Sequence, residues 1–308
     1  MQDYHTLSQA FLQQKQFLGY RYKTEGIVLK EIITFLNGRE ITKEVTEEYA
    51  RINQNRHSNT IARNMGVLRD FCKYLKTQGI DCYQIPEKIY PQNHKSYTPY
   101  IFSHKEIENI YQNLEETLKG YHYSYYQKLS YPLIIKILYQ TGMRLGEVLS
   151  IQKQDYLIED GCFHLKNTKN EQERYVFLPE SLKQEMNFFL HKFQYQLEKE
   201  SLIFSISSST IEQYFYKVLK RSHIPRRENS PRVHDLRHTF VVHKIQEYVN
   251  AGKDINVMLP ILQKHLGHQS LKALSYYFHL TKDILTDIKQ ISEERFHDII
   301  PEVKYEEL

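Results

Sequence analysis

Three short stretches hold the side chains of this sequence that could act together on one group. They are TGMRLGE (141–147), HDLRH (234–238), and LGH (266–268), the last followed by an adjacent tyrosine pair, Tyr276 and Tyr277. Taken singly, each has a bland reading. Arg144 stands three residues before Glu147, and most pairs at that spacing are surface ion pairs of little consequence. His234 and Arg237 share one helical face, while Leu236, Phe240 and Ile245 face elsewhere and supply a core contact. His238 lies one turn beyond His234, a separation that suits zinc. No glutamate sits between the two as in HExxH, and no cysteine or carboxylate follows at ligand spacing. We expect no metal.

Taken together, the stretches describe different chemistry. Two arginines and two histidines would surround one anionic group. Arginine suits a phosphate because its planar fork donates parallel hydrogen bonds and stays charged. Charge on the nonbridging oxygens of a phosphodiester grows as it is attacked, so fixed donors aimed there stabilise the transition state most. Such a reaction also needs a nucleophile and an acid for the leaving oxygen. Tyrosine can be the nucleophile, but its ordinary pKa of about 10 calls for a neighbouring base or cation. With 25 tyrosines and no tryptophan in the chain, a tyrosine alone means little. Helical spacing puts Leu271, Leu274 and Phe278 on a buried stripe, with Tyr276 opposite and Tyr277 at its flank. Both could be accessible, and geometry leaves the choice open.

The elements that must position these residues read as mainly helical, with one small β-hairpin. TEGIVLKEIITFLN (24–37) predicts a helix whose apolar residues are Ile27, Leu29, Ile32, Ile33 and Leu36. A second helix is expected from about Ser58 to Lys76, with Ile61, Met65, Leu68, Cys72 and Leu75 facing the core. Around that stripe stand Arg51, Arg56, Arg63, Arg69, Lys73 and Lys76. They are either a solvated face or a row of cations that replaces counterions on a nucleic-acid backbone. A proline-bearing stretch without helical period, IPEKIYPQNHKSYTPY, reads as a linker. Ser103 and Glu106 then form a capping-box pattern. YPLIIKILYQ (131–140) is an apolar helix broken at Gly142, and RLGEVLSI restarts it. GCFHLK (161–166) and RYVFLP (174–179) read as strands joined by the polar loop NTKNEQE, with further helices at 181–199, 209–222 and 234–250.

This set of motifs closely resembles the tyrosine recombinases, the site-specific DNA recombinases of phages, chromosomes and transposons. TGMRLGEVLSI is similar to the family's first arginine box, with Arg144 in the place of its arginine. HDLRHTF is similar to the second box, with His234 and Arg237 in the matching places, and LGHQS supplies His268. The family's catalytic tyrosine lies nine residues beyond that histidine, which selects Tyr277, with His279 two further on. The family's remaining catalytic residue is a lysine in a hairpin turn. Counting back from RYVFL matches Lys169, with Lys166 the alternative. The stretch between Arg237 and His268 is longer than in common integrases and looks more like recombinases of transposons and related mobile elements.

The resemblance implies a helical core-binding domain at 1–84, a linker at 85–99, a mixed but mostly helical catalytic domain at 100–281 and a C-terminal segment at 282–308. The two domains would form a C-shaped clamp on DNA. It also implies that Tyr277 attacks the scissile phosphate to give a 3′-phosphotyrosyl bond. Arg144, Arg237 and His268 would hold the nonbridging oxygens, and Lys169 would protonate the leaving 5′ oxygen. His234 would assist proton transfer and Glu147 would fix Arg144, without ATP, metal or other cofactor. Partners would be double-stranded DNA carrying recombination sites, a tetramer of the chain itself, and accessory or sister recombinases. Arg56, Arg63, Arg69, Lys73 and Lys76 become candidate DNA contacts. In the acidic tail, Phe296, Ile299 and Ile300 could anchor a docking contact with a neighbouring protomer.

Bulk properties agree with such a protein without selecting it. A chain of 308 residues suits two domains, and 41% hydrophobic with 25% charged residues is ordinary for a globular protein. A net charge of +4 is only weakly basic. Three cysteines without a CxxC pair, and no stretch resembling a signal peptide or membrane span, lead us to expect a reduced, cytoplasmic protein. Three rival functions remain open. They are a type IB topoisomerase, a catalytically silent DNA-binding protein and a metal-dependent nuclease.

Overall fold

The computed structural model describes residues 3–20, 22–87, 98–120, 122–166, 173–224 and 230–267. The chain divides into two compact units, Met1–Tyr97 and Thr98–Leu308. The fold is mostly helical with one small antiparallel sheet, and no described helix is long and apolar enough to cross a membrane.

The first unit holds helices α1 (Tyr4–Phe17), α2 (Lys23–Leu36), α3 (Lys43–Ile52) and α4 (Ser58–Thr77). Asp3 caps α1 by accepting from the N–H groups of His5 and Thr6, and Thr42 caps α3 through Val45 N–H. Leu29, Ile32 and Leu36 of α2 meet Met65, Leu68, Phe71 and Leu75 of α4 in one apolar core. Spacings of three and four residues put these side chains on one face of each helix. Ile27 does not belong to that face and is 72% exposed, with Val28 buried in its stead. A stripe running through 28, 29, 32, 33 and 36 leaves position 27 about a quarter turn outside it.

The second unit is built around α6 (Tyr125–Thr141), which packs along α10 (Asp235–Asn250), α5 (His104–Glu116), α8 (Glu180–Lys192) and α9 (Ser208–Arg221). Capping boxes start α5 (Ser103 with Glu106) and α6 (Ser124 with Gln127). Ile134, Ile135 and Ile137 of α6 are fully buried. Nothing polar interrupts that surface until Thr141 and Gly142, where the helix stops.

The short helix α7 (Leu145–Leu149) restarts the chain, and a single 3₁₀ turn at Lys153–Asp155 leads into the sheet. Its strands are β1 (Tyr156–Leu157), β2 (Cys162–Leu165) and β3 (Arg174–Phe177), in the order β1-β2-β3. Tyr156 pairs with Phe163, and Leu165 with Arg174. The strand β1 is an addition to the two expected strands. Helix α8 stops at Lys192, short of the expected residue 199, and Phe193 turns into an aromatic cluster with Phe189 and Tyr126. Helix α11 (Ile255–Leu266) closes the described chain and ends on Gly267.

Candidate active site

Two helix ends meet here. Gly142 terminates α6 and Gly267 terminates α11, both in the left-handed conformation with φ of +65° and +64°. Glycine adopts that region without the penalty a side chain would bring. The last carbonyls of both helices point into one place, where they carry the partial negative charge of a helix C-terminus. Buried guanidinium groups and a partly buried imidazole take them up. Arg237, only 2% exposed, donates from Nη1 to the Gly142 carbonyl at 2.6 Å and from Nη2 to the Leu266 carbonyl at 2.8 Å. His265 Nε2 lies 2.8 Å from the Thr141 carbonyl and Arg174 Nε donates to the His265 carbonyl at 2.8 Å.

Arg144 follows the α6 terminus by two residues and is extended, with φ −75° and ψ 145°, just before α7. Glu147 in the first turn of α7 holds it twice. Oε2 accepts from the Arg144 main-chain N–H at 2.9 Å, and Oε1 accepts from Arg144 Nη1 at 2.8 Å. The same Oε2 also accepts from Arg174 Nη2 at 2.8 Å. Burial alone would raise the Glu147 pKa. The hydrogen bond and charge of Arg174, then the N–H and charge of Arg144, outweigh it and hold the carboxyl below its ordinary range. Glu147 is therefore an anion that fixes two guanidinium groups.

His234 sits just before α10 and its residue surface is exposed. Desolvation, then the charges of Arg237, Arg144 and Arg232, bring its pKa down to about 4 against an opposing pull from Glu147. At neutral pH it is an uncharged imidazole facing a group of cations. Its ring meets that of His238 edge to face, with centroids 4.9 Å apart. The backbone carrying His234 and Arg237 is fixed by Asp235, fully buried, whose Oδ2 accepts from Arg232 N–H at 2.8 Å. Thr239 ties α10 to the start of the unit by accepting from Phe102 N–H at 3.1 Å.

Arg144, Glu147, His234 and Arg237 are thus one neighbourhood. Lys169, His268, Tyr276, Tyr277 and His279 lie outside the described residues, as do Phe296, Ile299 and Ile300. Lys166 is described. Its Nζ lies 3.0 Å from Asp155 Oδ1, in a cleft bordered by Glu147, Gln152 and His164.

Among the N-terminal cations, Arg56 pairs with Glu31 at 2.9 Å and Lys73 approaches Glu87 at 3.6 Å. Arg69 donates from Nε and Nη2 to the Ile85 and Pro86 carbonyls, both at 2.9 Å. Arg63 and Lys76 are exposed on α4.

Arg174 and His265 belong to the site and are not among the residues singled out by sequence. Arg174 occupies an inward position of β3, whose residues alternate buried and exposed. In RYVF every neighbour is apolar, so the alternation that would have marked an inward arginine is not legible. His265 reads in sequence as one of several histidines near a helix end.

Comparison with known proteins adds relatives to this geometry. The sequence signature of the phage integrase family matches residues 101–283. Tyrosine recombinase XerA of Saccharolobus solfataricus is 33% identical over 153 residues, 50% of this chain and 47% of that protein, so the match spans about half that relative's length. Tyrosine recombinase XerC of Staphylococcus saprophyticus is 24% identical over 233 residues, 74% of this chain and 73% of that one. In fold, the chain is similar to the Tn1549 transposon integrase in complex with transposon right end DNA. The TM-score is 0.59 at 14% identity, covering 94% of this chain and 99% of that one.

Proposed function

The chain belongs to the phage integrase family, and from that membership we propose that it is a tyrosine-type site-specific DNA recombinase, which cuts and rejoins DNA strands through a covalent tyrosyl intermediate. One observation carries the reading. Two arginines from distant parts of the chain, Arg144 and Arg237, are held beside the same α6 terminus, the first by a carboxylate and the second by main-chain carbonyls. Guanidinium groups fixed before the substrate arrives need no reorganisation when charge develops on a phosphate.

Tyr277 is the proposed nucleophile. Its phenolic oxygen forms a bond to the scissile phosphorus while the bond to the 5′ oxygen breaks, leaving a 3′-phosphotyrosyl link and a free 5′-hydroxyl. Arg144, Arg237 and His268 hold the nonbridging oxygens. His234, neutral at working pH, takes the phenolic proton or orients the phosphate. Lys169 protonates the leaving oxygen, with Lys166 the alternative. Attack by a 5′-hydroxyl from a partner duplex reverses the step, and a tetramer exchanging strands in pairs would complete recombination. The long stretch between Arg237 and His268 supports a mobile-element role, in integration, excision or transposition.

The test uses nicked duplexes drawn from the DNA flanking the protein's own coding sequence, in which cleavage releases a short strand and traps the adduct. Wild type and Tyr276→Phe should become covalently linked to DNA, and Tyr277→Phe should not. An adduct that persists in Tyr277→Phe would overturn the assignment of the nucleophile.

A further inference from the structure

We infer that Arg174 is a positioning residue of this site, holding Arg144 through Glu147 and holding the turn before His268 through the end of α11. The inference rests on the strand-transfer reading above and adds to it a residue from the hairpin that does not itself touch the phosphate.

Arg174 is 6% exposed, and a guanidinium so far from water is costly unless it is paired and hydrogen-bonded. Its contacts join three elements. Nη2 reaches Glu147 on α7, Nε reaches the His265 carbonyl on α11, and the residue itself begins β3. Gly267 packs directly on this guanidinium. A Cβ added there would lie 2.9 Å from Arg174 Nη1, and the φ of +64° independently requires glycine. The chain therefore passes closely over Arg174 immediately before His268.

Stability alone does not explain an arginine in this place. Nη1 is buried and meets no acceptor among the described residues, and apolar residues of similar volume commonly replace buried ion pairs without loss. What an apolar side chain could not do is share Glu147 Oε2 with the Arg144 main-chain N–H. Without Arg174, Glu147 loses its strongest stabilising neighbour, and its grip on Arg144 loosens. The His265 carbonyl loses its donor at the same moment.

The test measures single-turnover cleavage of the nicked duplex, DNA affinity and thermal midpoint for wild type, Arg174→Met, Arg174→Lys, Glu147→Gln and the double variant Arg174→Met/Glu147→Gln. Loosening a catalytic group by a fraction of an ångström to an ångström is worth about 10²-fold in rate, and Arg174→Met should fall by about that much with DNA affinity unchanged. The double variant should lose less than the product of the two single losses, because Glu147→Gln already removes the contact through which Arg174 holds Arg144.

A second substrate separates positioning from general damage. With a neutral methylphosphonate at the scissile position the arginines have less charge to stabilise, so the defect of Arg174→Met should shrink. Arg174→Lys retains the charge but cannot span both acceptors, so it should show an intermediate rate, and it carries the test if Arg174→Met does not fold. Wild-type cleavage by Arg174→Met, rate losses that multiply in the double variant, or an undiminished defect on methylphosphonate would each overturn the inference. Failure of the wild type to form any adduct would instead overturn the strand-transfer reading itself.

Discussion

Arg144 and Arg237 do similar work by different means. Arg144 leans on a carboxylate and Arg237 on the carbonyls of two helix ends, whose dipoles take up part of its charge. The imidazoles respond to the same surroundings. Desolvation first, then nearby cations, lowers His234 to about 4, and desolvation with the charge of His104 lowers His243 to about 4. His265 is lowered as well, chiefly by desolvation. In each case the unfolded chain binds a proton at a pH where the folded one does not. Their contribution to stability is therefore fully present above about pH 6.5 and declines as pH falls below it, toward 4 for His234 and His243. Glu147 works in the next window down, its contribution vanishing only below the ordinary carboxyl pKa. Urea unfolding at pH 7.5, 6 and 5 should show a falling midpoint, with a shallower fall in His243→Gln, whose ring stacks on His104 and meets the Tyr139 hydroxyl. Equal midpoints across that range would contradict the neutral-imidazole assignment. At this scale the sequence was a good guide wherever a residue sat in a compact motif. Arg144, Glu147, His234 and Arg237 fall inside short windows, whereas Arg174 is a member only through contacts 27 and 91 residues away.

Elements bring these side chains together through where they stop. Gly142 has a positive φ, and a Cβ there would lie 2.4 Å from the Phe240 ring, while its carbonyl holds Arg237. Gly142→Ala should lower the unfolding free energy by about 1–3 kcal/mol, the scale of a strained backbone position, and should slow cleavage because the carbonyl that holds Arg237 is displaced. Gly66 is the matched control. It lies inside α4, where an added Cβ would meet nothing within 4 Å, so Gly66→Ala should stabilise by roughly 0.5–1 kcal/mol. Equal destabilisation by both substitutions, read from urea unfolding, would refute the argument. Helix starts were legible because Ser103–Glu106 is a local chemical pattern, and the break at Gly142 because an apolar run meets a glycine. The two-residue strand β1 and the early end of α8 were not, since pairing with β2 and a turn into an aromatic cluster are tertiary events.

For the molecule as a whole, net charge is a poor guide and charge placement a better one. Arg56, Arg69 and Lys73 are engaged within the first unit, whereas Arg63 and Lys76 present their charge at the α4 surface. If those two meet DNA phosphates, replacing either with alanine should weaken binding across all sequences and reduce the slope of log K against log salt by about 1. Arg69→Ala should instead lower the stability of the first unit, because its guanidinium ties α4 to the Ile85–Pro86 carbonyls. Unchanged salt slopes for Arg63→Ala and Lys76→Ala would remove them from the interface. The mostly helical class and the small hairpin were readable from periodicity. Which cations remain available was not, because each depends on an acid or carbonyl supplied by another element.

The two helix ends that frame the arginines also determine when the site can exist. Thr141 and His265 meet across 124 positions of chain, and Gly142 and Arg237 across 95. Such high contact order means that the loop closures come before the reward for them. During synthesis, Arg144 and Glu147 emerge from the ribosome long before Leu266, so Arg237 gains the second of its two carbonyl partners only after all of α11 has been made.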